Sequence, residues 1–168
     1  GIELSSYAAE LARVSVWIGE IQWMRRNGFE AAKNPILRTL NTIENRDAVL
    51  NADGTRAEWP SADVVIGNPP FLGAGRHLRE LGDDYTKSLR AAYKGHVPES
   101  ADLVTYWFAQ SSAQGQKTTR IGFVATNSIR SSYSNIPLTK LAERFPIYAA
   151  WPDLPWVVEG AAVRVSIF

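Results

Sequence analysis

The chain contains no cysteine and only two histidines, His77 and His96, in 168 residues. The absence of cysteine excludes disulfide bonds and thiolate metal sites, and the spacing of the two histidines matches no metal-binding motif. We therefore expect no metal site, and we expect each histidine to be an ordinary surface residue.

Long apolar runs are also missing. No stretch approaches the ~18 consecutive apolar residues that a membrane-spanning helix needs, and no basic start followed by an apolar segment marks a secretory signal. These absences predict a soluble, cytoplasmic protein without a membrane partner. The net charge of +1 is too small to indicate nucleic-acid binding by itself.

The composition is ordinary, but the two ends of the chain are not. Hydrophobic residues make up 45% of the chain and charged residues 21%, which is typical of a globular protein of one domain. The chain opens at Gly1 without an initiator Met, directly in a predicted strand, and it closes in another strand at Phe168. Because natural domains usually begin with mobile polar residues, we expect a piece cut from a longer protein.

The hydrophobic pattern predicts six strands and three helices in the order strand, helix, strand, strand, helix, strand, helix, strand, strand. The strands are predicted over residues 1–4, 42–50, 62–67, 120–126, 147–151 and 162–168, and the helices over residues 5–26, 101–112 and 137–144. This alternation favours an α/β fold with a mostly parallel sheet and an antiparallel last pair. The polar stretch 72–98 is interpreted either as a phosphate contact or as solvated helix faces with loops.

The most informative motif is Asn68-Pro69-Pro70-Phe71, which follows the predicted buried strand 62–67. Proline ends a strand, and the residue before a proline is pushed into an extended conformation. Asn68 is therefore expected to project from the carboxyl end of the strand, where open α/β sheets bind their ligands.

This motif suits methylation of an amino group on a planar ring. The exocyclic nitrogen of adenine is a poor nucleophile because its lone pair is delocalised into the ring, and two acceptors that take its hydrogens make it more nucleophilic. The side-chain oxygen of Asn68 and the carbonyl oxygen of Pro69, fixed in direction by the neighbouring Pro70, are the two candidates. Phe71 offers a flat face for a base, worth about 1–3 kcal/mol. The alternative is a strand that simply ends in a Pro-Pro turn.

Two acidic residues stand where a nucleoside needs them. Glu3, at the end of the first strand, can accept hydrogen bonds from both hydroxyls of a ribose. Asp47, at the end of the second, can accept one from an adenine amino group. Each also has a simpler interpretation, Glu3 as a charge near a helix start and Asp47 as a turn residue. The glycine-rich turn expected before such acids is not in this chain.

These residues resemble the class I S-adenosylmethionine-dependent DNA adenine-N6 methyltransferases, and more closely the methyltransferase region of the MmeI-like fused restriction–modification proteins. The resemblance extends over essentially the whole chain. The motifs that carry it lie at residues 1–4, 8–13, 46–48, 63–73, 101–108, 125–130 and 160–166. It implies a Rossmann-like methyltransferase sheet, S-adenosylmethionine as cofactor and double-stranded DNA with a flipped adenine as substrate.

The resemblance also implies roles for individual residues. Glu3 holds the cofactor ribose, Asp47 the cofactor adenine, and Asp102 belongs to a helix-start motif that lines the cofactor pocket. The target adenine is held by residues 68–71, with Trp151 or Trp156 as a candidate for stacking on its other face.

By the same resemblance, residues 1–168 are expected to be a partial catalytic domain. The first strand and the glycine-rich cofactor loop would lie upstream, and the target-recognition domain is absent, so the piece alone is expected to be inactive. Because Asn-Pro-Pro-aromatic motifs suit other planar nitrogens, methylation of an RNA base or of a protein glutamine stays open. A non-catalytic nucleic-acid-binding module is the further alternative.

Overall fold

The computed structural model describes residues 1–29, 42–114, 118, 120–131, 133–158 and 161–168. Gly160, at the start of the last motif, lies outside the described residues. The chain divides into two compact units, Gly1–Ala48 and Val49–Phe168. No helix among the described residues is both long and apolar enough to cross a membrane.

The first unit is a short parallel strand pair with one long helix. Strand β1 (Ile2–Glu3) pairs in parallel with β2 (Glu44–Asn45). Helix α1 (Ser6–Arg26) begins after Ser5, whose side-chain oxygen accepts a hydrogen bond from the backbone N–H of Ala8 at 3.3 Å. A serine cap satisfies one of the free N–H groups at a helix start, so the predicted helix is confirmed, whereas β2 is much shorter than the predicted strand 42–50.

The second unit is built on a four-stranded sheet. Its spatial order is β3 (Val64–Gly67), β4 (Arg120–Thr126), β6 (Ala161–Ile167) and β5 (Trp151–Val158). β3 and β4 are parallel, and β6 is antiparallel to both β4 and β5. β3, β4 and β5 therefore run in one direction, and β6, the last strand in the chain, runs in the opposite direction. The predicted antiparallel pair of the last two strands is confirmed. Since the described strands form two sheets, a single Rossmann-like sheet stays a prediction.

One face of this sheet is covered by two helices, α4 (Thr105–Ser111) and α5 (Asn135–Arg144). Phe108 of α4 meets Phe123 of β4 edge to face, with ring centroids 5.1 Å apart. The buried members of this core cluster are Val104, Phe108, Phe123, Ala125, Ile129, Leu138 and Leu141. Burial of these apolar side chains is the main stabilising contribution at this face.

Strand β3 corrects one expectation. Residues 62–67 were expected to be buried, but Val64 is 51% exposed and Ile66 is 81% exposed, while Val65 packs against the core cluster. Side chains of a strand alternate between faces, so only one of the three points to the covered face. The strand was predicted correctly, and its expected burial was wrong for Val64 and Ile66.

The segment 72–98 is more ordered than its composition indicates. It contains α2 (His77–Leu81) and α3 (Asp83–Ala92), two helices that the predicted element order omits. Its apolar residues join a second core cluster that consists of Val49, Leu50, Leu72, Leu89, Tyr93, Val97, Ala101, Leu103, Tyr106 and Ala109. The helix-face interpretation is confirmed for this stretch, and its phosphate contact stays a prediction.

Two boundaries and one burial prediction were also wrong. The predicted strand 147–151 ends where β5 begins, at Trp151, and the predicted helix 101–112 is helical as α4 only from Thr105. Pro152 and Pro155 argue against a strand when only the sequence is considered. The structure accommodates them because β5 is an edge strand, where prolines are tolerated. His77 is 0% exposed rather than a surface residue, whereas His96 is exposed as predicted.

Candidate functional site

The Asn-Pro-Pro-Phe loop, residues 68–71, directly follows the carboxyl end of β3. Asn68 is exposed, Pro69 is buried and Phe71 is half-buried. The amide therefore stands at the strand tip rather than serving as core filler. A Cβ added to Gly67 would lie 3.3 Å from the Phe123 ring, so the residue before Asn68 packs closely against the neighbouring strand.

The other end of the loop is held through Leu72. The carbonyl oxygen of Leu72 accepts a hydrogen bond from the backbone N–H of Leu103 at 2.9 Å, and the Nε2 of His77 lies 3.0 Å from the same oxygen. The Leu72 side chain is buried. The loop is thus anchored on both sides, by the sheet before it and by this carbonyl after it.

His77, expected to be a surface residue, is instead buried next to the end of the loop. Burial is the main cause that lowers the pKa of His77 below 6.5, and the positive charge of Arg90 lowers it further. The hydrogen bond to Leu72 and the negative charge of Asp102 act to raise this pKa. A signal was present, because His77 is spaced in steps of four residues with Leu81, Tyr85, Leu89 and Tyr93. That spacing is typical of the apolar row of a helix, and in the structure the row is divided at Gly82 between α2 and α3.

Asp102 is buried and hydrogen bonded within the protein. Its Oδ1 accepts from the backbone N–H of Val104 at 3.2 Å, and its Oδ2 accepts from the hydroxyls of Ser128 at 3.0 Å and Thr126 at 3.4 Å. Its own N–H donates to the Ser134 hydroxyl at 3.1 Å. The carboxylate holds the start of α4 against the turn that follows β4, and its part in cofactor binding stays a prediction.

The turn after β4 is tied to the last two strands by Asn127. Its Oδ1 accepts from the Ser166 hydroxyl at 3.0 Å, and its Nδ2 donates to Asp153. Asp153 has a φ of 62° and lies in a register shift between Trp151 and Leu154. Hydrogen bonds from Arg164, the larger cause, and from Asn127 lower the pKa of this carboxyl.

The strand register separates the two candidate tryptophans. Thr126, the last residue of β4, pairs with Val165, which in turn pairs with Leu154. Trp156 pairs with Val163 beyond that level, so it lies on the part of the β5–β6 hairpin that extends past the carboxyl end of β4. Trp151 lies earlier on β5 and pairs with Ile167, which in turn pairs with Val124 of β4. It is therefore level with the body of β4. The register therefore favours Trp156 as the residue nearer the edge where ligands bind in such sheets.

In the first unit, the parallel pair β1–β2 brings Glu3 and Asp47 to the same end. Glu3 pairs with Asn45, and Asp47 lies two residues farther along. Both acids are half-buried. The Oε1 of Glu3 accepts from the backbone N–H of Ser5 at 2.8 Å. Two carboxylates at the carboxyl ends of adjacent parallel strands are the acceptors that a ribose diol and an adenine amino group require, so the residues fit the expected cofactor.

Two other features bear on the kind of site. No group of three or more His, Asp or Glu side chains suited to a metal ion occurs in the part of the chain that the structure describes.

A largely apolar cavity of about 310 Å³, lined in part by Arg120, Leu141 and Phe145, lies at the amino end of β4. It is therefore at the opposite end of that strand from the turn that Asp102 holds, and we do not assign the chemistry to it.

The fold and the loop together define a class. A mixed α/β domain with parallel strands, an antiparallel last strand and an Asn-Pro-Pro-Phe loop at a strand's carboxyl end is a methyltransferase-type domain. The family model described as MmeI, DNA-methyltransferase domain, matches residues 1–167. The chain belongs to this family.

Individual relatives agree with the family. DNA methyltransferase A of Bacillus subtilis (strain 168) is 28% identical over 138 residues, which cover 77% of this chain and 15% of that protein. The solved structure of the type IIL restriction–modification enzyme MmeI in complex with DNA matches 99% of this chain with a TM-score of 0.68, at 23% identity, and shares its fold. The chain spans 23% of that solved chain.

Proposed function

We propose that this domain transfers the methyl group of S-adenosylmethionine to the N6 amino group of adenine in DNA, as the catalytic part of a longer restriction–modification enzyme. Membership in the family of MmeI DNA-methyltransferase domains supports the reaction class. The choice of an adenine amino group rests on the Asn-Pro-Pro-Phe loop.

The observation that carries the proposal is the position of this loop. Asn68 is exposed at the carboxyl end of β3, Pro69 beside it is buried, and Phe71 is half-buried. Asn68 Oδ1 and the Pro69 carbonyl accept the two amino hydrogens of the flipped base. Phe71 supports the ring by stacking, and orientation is the main contribution of the protein to the rate.

The cofactor is assigned to acids of the first unit. Glu3 accepts hydrogen bonds from the ribose hydroxyls, and Asp47 accepts one from the adenine amino group of the cofactor. When bound, S-adenosylmethionine supplies an electrophilic methyl group. Glu3 has one carboxylate oxygen engaged by Ser5, which fixes the orientation of the other.

Substitution of Asn68 tests the reaction. In the full-length protein, we expect Asn68→Ala to lower methyl transfer at least about 100-fold, because an acceptor for the amino group is lost from an oriented site. The measurement is incorporation of tritiated methyl groups into unmethylated bacterial DNA. Asn135→Ala, at an exposed position that begins α5, is the matched control and should keep wild-type activity.

The substrate class is tested with the same wild-type protein. Unmethylated DNA, bulk RNA and a bacterial protein extract are offered in parallel, and liquid chromatography identifies the methylated product. N6-methyladenine in DNA is the expected product. Label in RNA or in glutamine side chains would favour one of the alternatives, and full activity of Asn68→Ala would refute the assigned role.

A further inference from the structure

His77 is not among the residues proposed above to bind the base or the cofactor. We propose that His77 is a positioning residue that holds the Asn-Pro-Pro-Phe loop in the geometry needed for base binding, by donating a hydrogen bond to the Leu72 carbonyl. The inference rests on the proposed function, because the loop needs accurate placement only if residues 68–71 receive the base.

The chemistry of the two atoms fixes the form of the histidine. A carbonyl oxygen only accepts hydrogen bonds, so the Nε2 of His77, 3.0 Å from the Leu72 oxygen, carries the proton. Burial favours the neutral ring, since it lowers the pKa of His77. The side chain is therefore a neutral donor with its proton on Nε2.

Other features of the fold do not account for a histidine at this position. The Leu72 carbonyl already accepts the N–H of Leu103 at 2.9 Å, so it is satisfied without His77. The Nδ1 of His77 is buried and has no hydrogen-bond partner among the described residues, which costs stability. An apolar side chain of similar volume would avoid that cost. The second hydrogen bond to the carbonyl is what the histidine adds.

That second bond constrains the chain next to Phe71. A carbonyl held by two donors keeps its direction, because hydrogen bonds to an sp² oxygen have a preferred plane. Leu72 directly follows Phe71, and Gly73 after it is exposed, with open space where a side chain would be. The Gly73 carbonyl accepts a hydrogen bond from the backbone N–H of Arg76 at 2.9 Å, within the turn that follows. The Leu72 carbonyl is therefore the point where the end of the loop is joined to a different segment of the chain, through Leu103.

The constraint extends to the neighbouring strand. Leu103, the other donor to the Leu72 carbonyl, follows Asp102, whose carboxylate accepts the hydroxyl of Ser128 at 3.0 Å. His77 and Asp102 therefore tie the segments after β3 and β4 into one hydrogen-bonded unit. A shift of the loop by about 1 Å is enough to lower a reaction rate on the order of 100-fold.

The test compares two polar variants of different reach in the full-length protein. His77→Gln places an amide nitrogen near the former Nε2, whereas the side chain of His77→Asn is one carbon shorter and does not reach the carbonyl. Both are amides, so they share the cost of a buried polar group. His96→Gln and His96→Asn, at the exposed histidine, are the matched controls.

Two measurements are made on each variant, at a temperature below the midpoint of its thermal unfolding. For methyl transfer to unmethylated bacterial DNA, we expect H77N to lower kcat about 10- to 100-fold with little change in the KM for S-adenosylmethionine, and H77Q to stay within about threefold of wild type. Amide hydrogen exchange over residues 68–76 should be about tenfold faster in H77N, from the loss of one hydrogen bond, and near wild type in H77Q.

Several outcomes overturn the inference. These are wild-type kcat in H77N, equal losses in H77N and H77Q, or unchanged exchange over residues 68–76 in H77N. If the wild-type protein methylates no DNA, the proposed function is wrong, while the exchange comparison still decides whether His77 orders the loop.

Discussion

At the scale of single residues, the two histidines have opposite environments. His77 is 0% exposed and contacts a backbone carbonyl, whereas His96 is exposed on the surface. Loss of solvent around the ring is the largest cause of a lowered pKa in both cases. This loss is only partial for His96, where the positive charges of Arg56 and Lys140 lower the pKa further. The buried group has consequences for folding, because its ring must stay neutral inside the protein.

Stability should therefore depend on pH through His77. Its folded-state pKa lies below 6.5, so the unfolded chain binds a proton at higher pH than the folded chain does. The free energy of unfolding has its full value above about pH 6.5 and decreases as the pH falls from there toward the lowered pKa of the folded state. Denaturant unfolding of wild type and His77→Gln at pH 7.5, 6.5 and 5.5 measures the effect.

We expect a smaller loss of stability on acidification in His77→Gln than in wild type. His96 is present in both proteins, so its contribution cancels in the comparison. Asp53, Glu80 and Asp153 have lowered pKa values, so their contributions are lost only at lower pH. Equal pH profiles would show that His77 is not neutralised by burial.

Asp102 is a predicted cofactor-site residue whose carboxylate is hydrogen bonded to other parts of the protein. The resemblance implied its place in a helix-start motif, but nothing in the sequence indicated its hydrogen-bond partners. The hydroxyls of Thr126 and Ser128 come from a segment more than 20 residues away. Only folding places these donors on the carboxylate, and they make it a restraint on the turn after β4.

At the scale of elements, the end of β3 depends on the absence of a side chain at Gly67. We predict that Gly67→Ala lowers stability by about 1–3 kcal/mol, because overpacking a core displaces side chains or backbone. The added Cβ would lie 3.3 Å from the ring of Phe123, which is 2% exposed and has little room to move. Thermal and denaturant unfolding of the variant measure the change.

The control for this prediction is Gly73→Ala. Gly73 lies just after the Asn-Pro-Pro-Phe loop, and a Cβ there meets nothing within 4 Å. Its φ of −64° also suits an alanine, so stability should change little. Equal stability of the Gly67→Ala and wild-type proteins would contradict the close packing between β3 and β4.

Element boundaries were predictable where a local signal was strong. The serine before α1 and the apolar run of β4 indicated those elements closely. β5 was misplaced because Pro152 and Pro155 are unusual in a strand, and their tolerance depends on β5 being an edge. Edge position is a property of the sheet order and cannot be obtained from local sequence.

At the scale of the whole molecule, the two units differ in how much core they contain. Both buried clusters belong to residues 49–168, whereas in α1 only Ala9 is buried among the described helix residues. The exposed large apolar side chains of α1, 45% to 74% accessible, are Tyr7, Leu11, Val14, Val16, Ile18 and Trp23. Helices of this length depend on packing for most of their stability.

This difference predicts unequal protection in the chain of 168 residues. Backbone amides in α1 should exchange with solvent faster than those in α4 and β4, because local opening costs less where few apolar contacts are broken. Hydrogen exchange followed by mass spectrometry of peptides from each element provides the comparison. Protection of α1 equal to that of β4 would contradict the prediction.

The sequence by itself determined the position of the Asn-Pro-Pro-Phe loop and most of the elements, because these depend on local residue types and their spacing. Tertiary structure decided which face of β3 is covered, that His77 is buried against Leu72, and which hydroxyls engage Asp102. These features join residues that are distant in sequence or on different elements. Their energies come from burial and from hydrogen bonds made between elements, which exist only after the chain has packed.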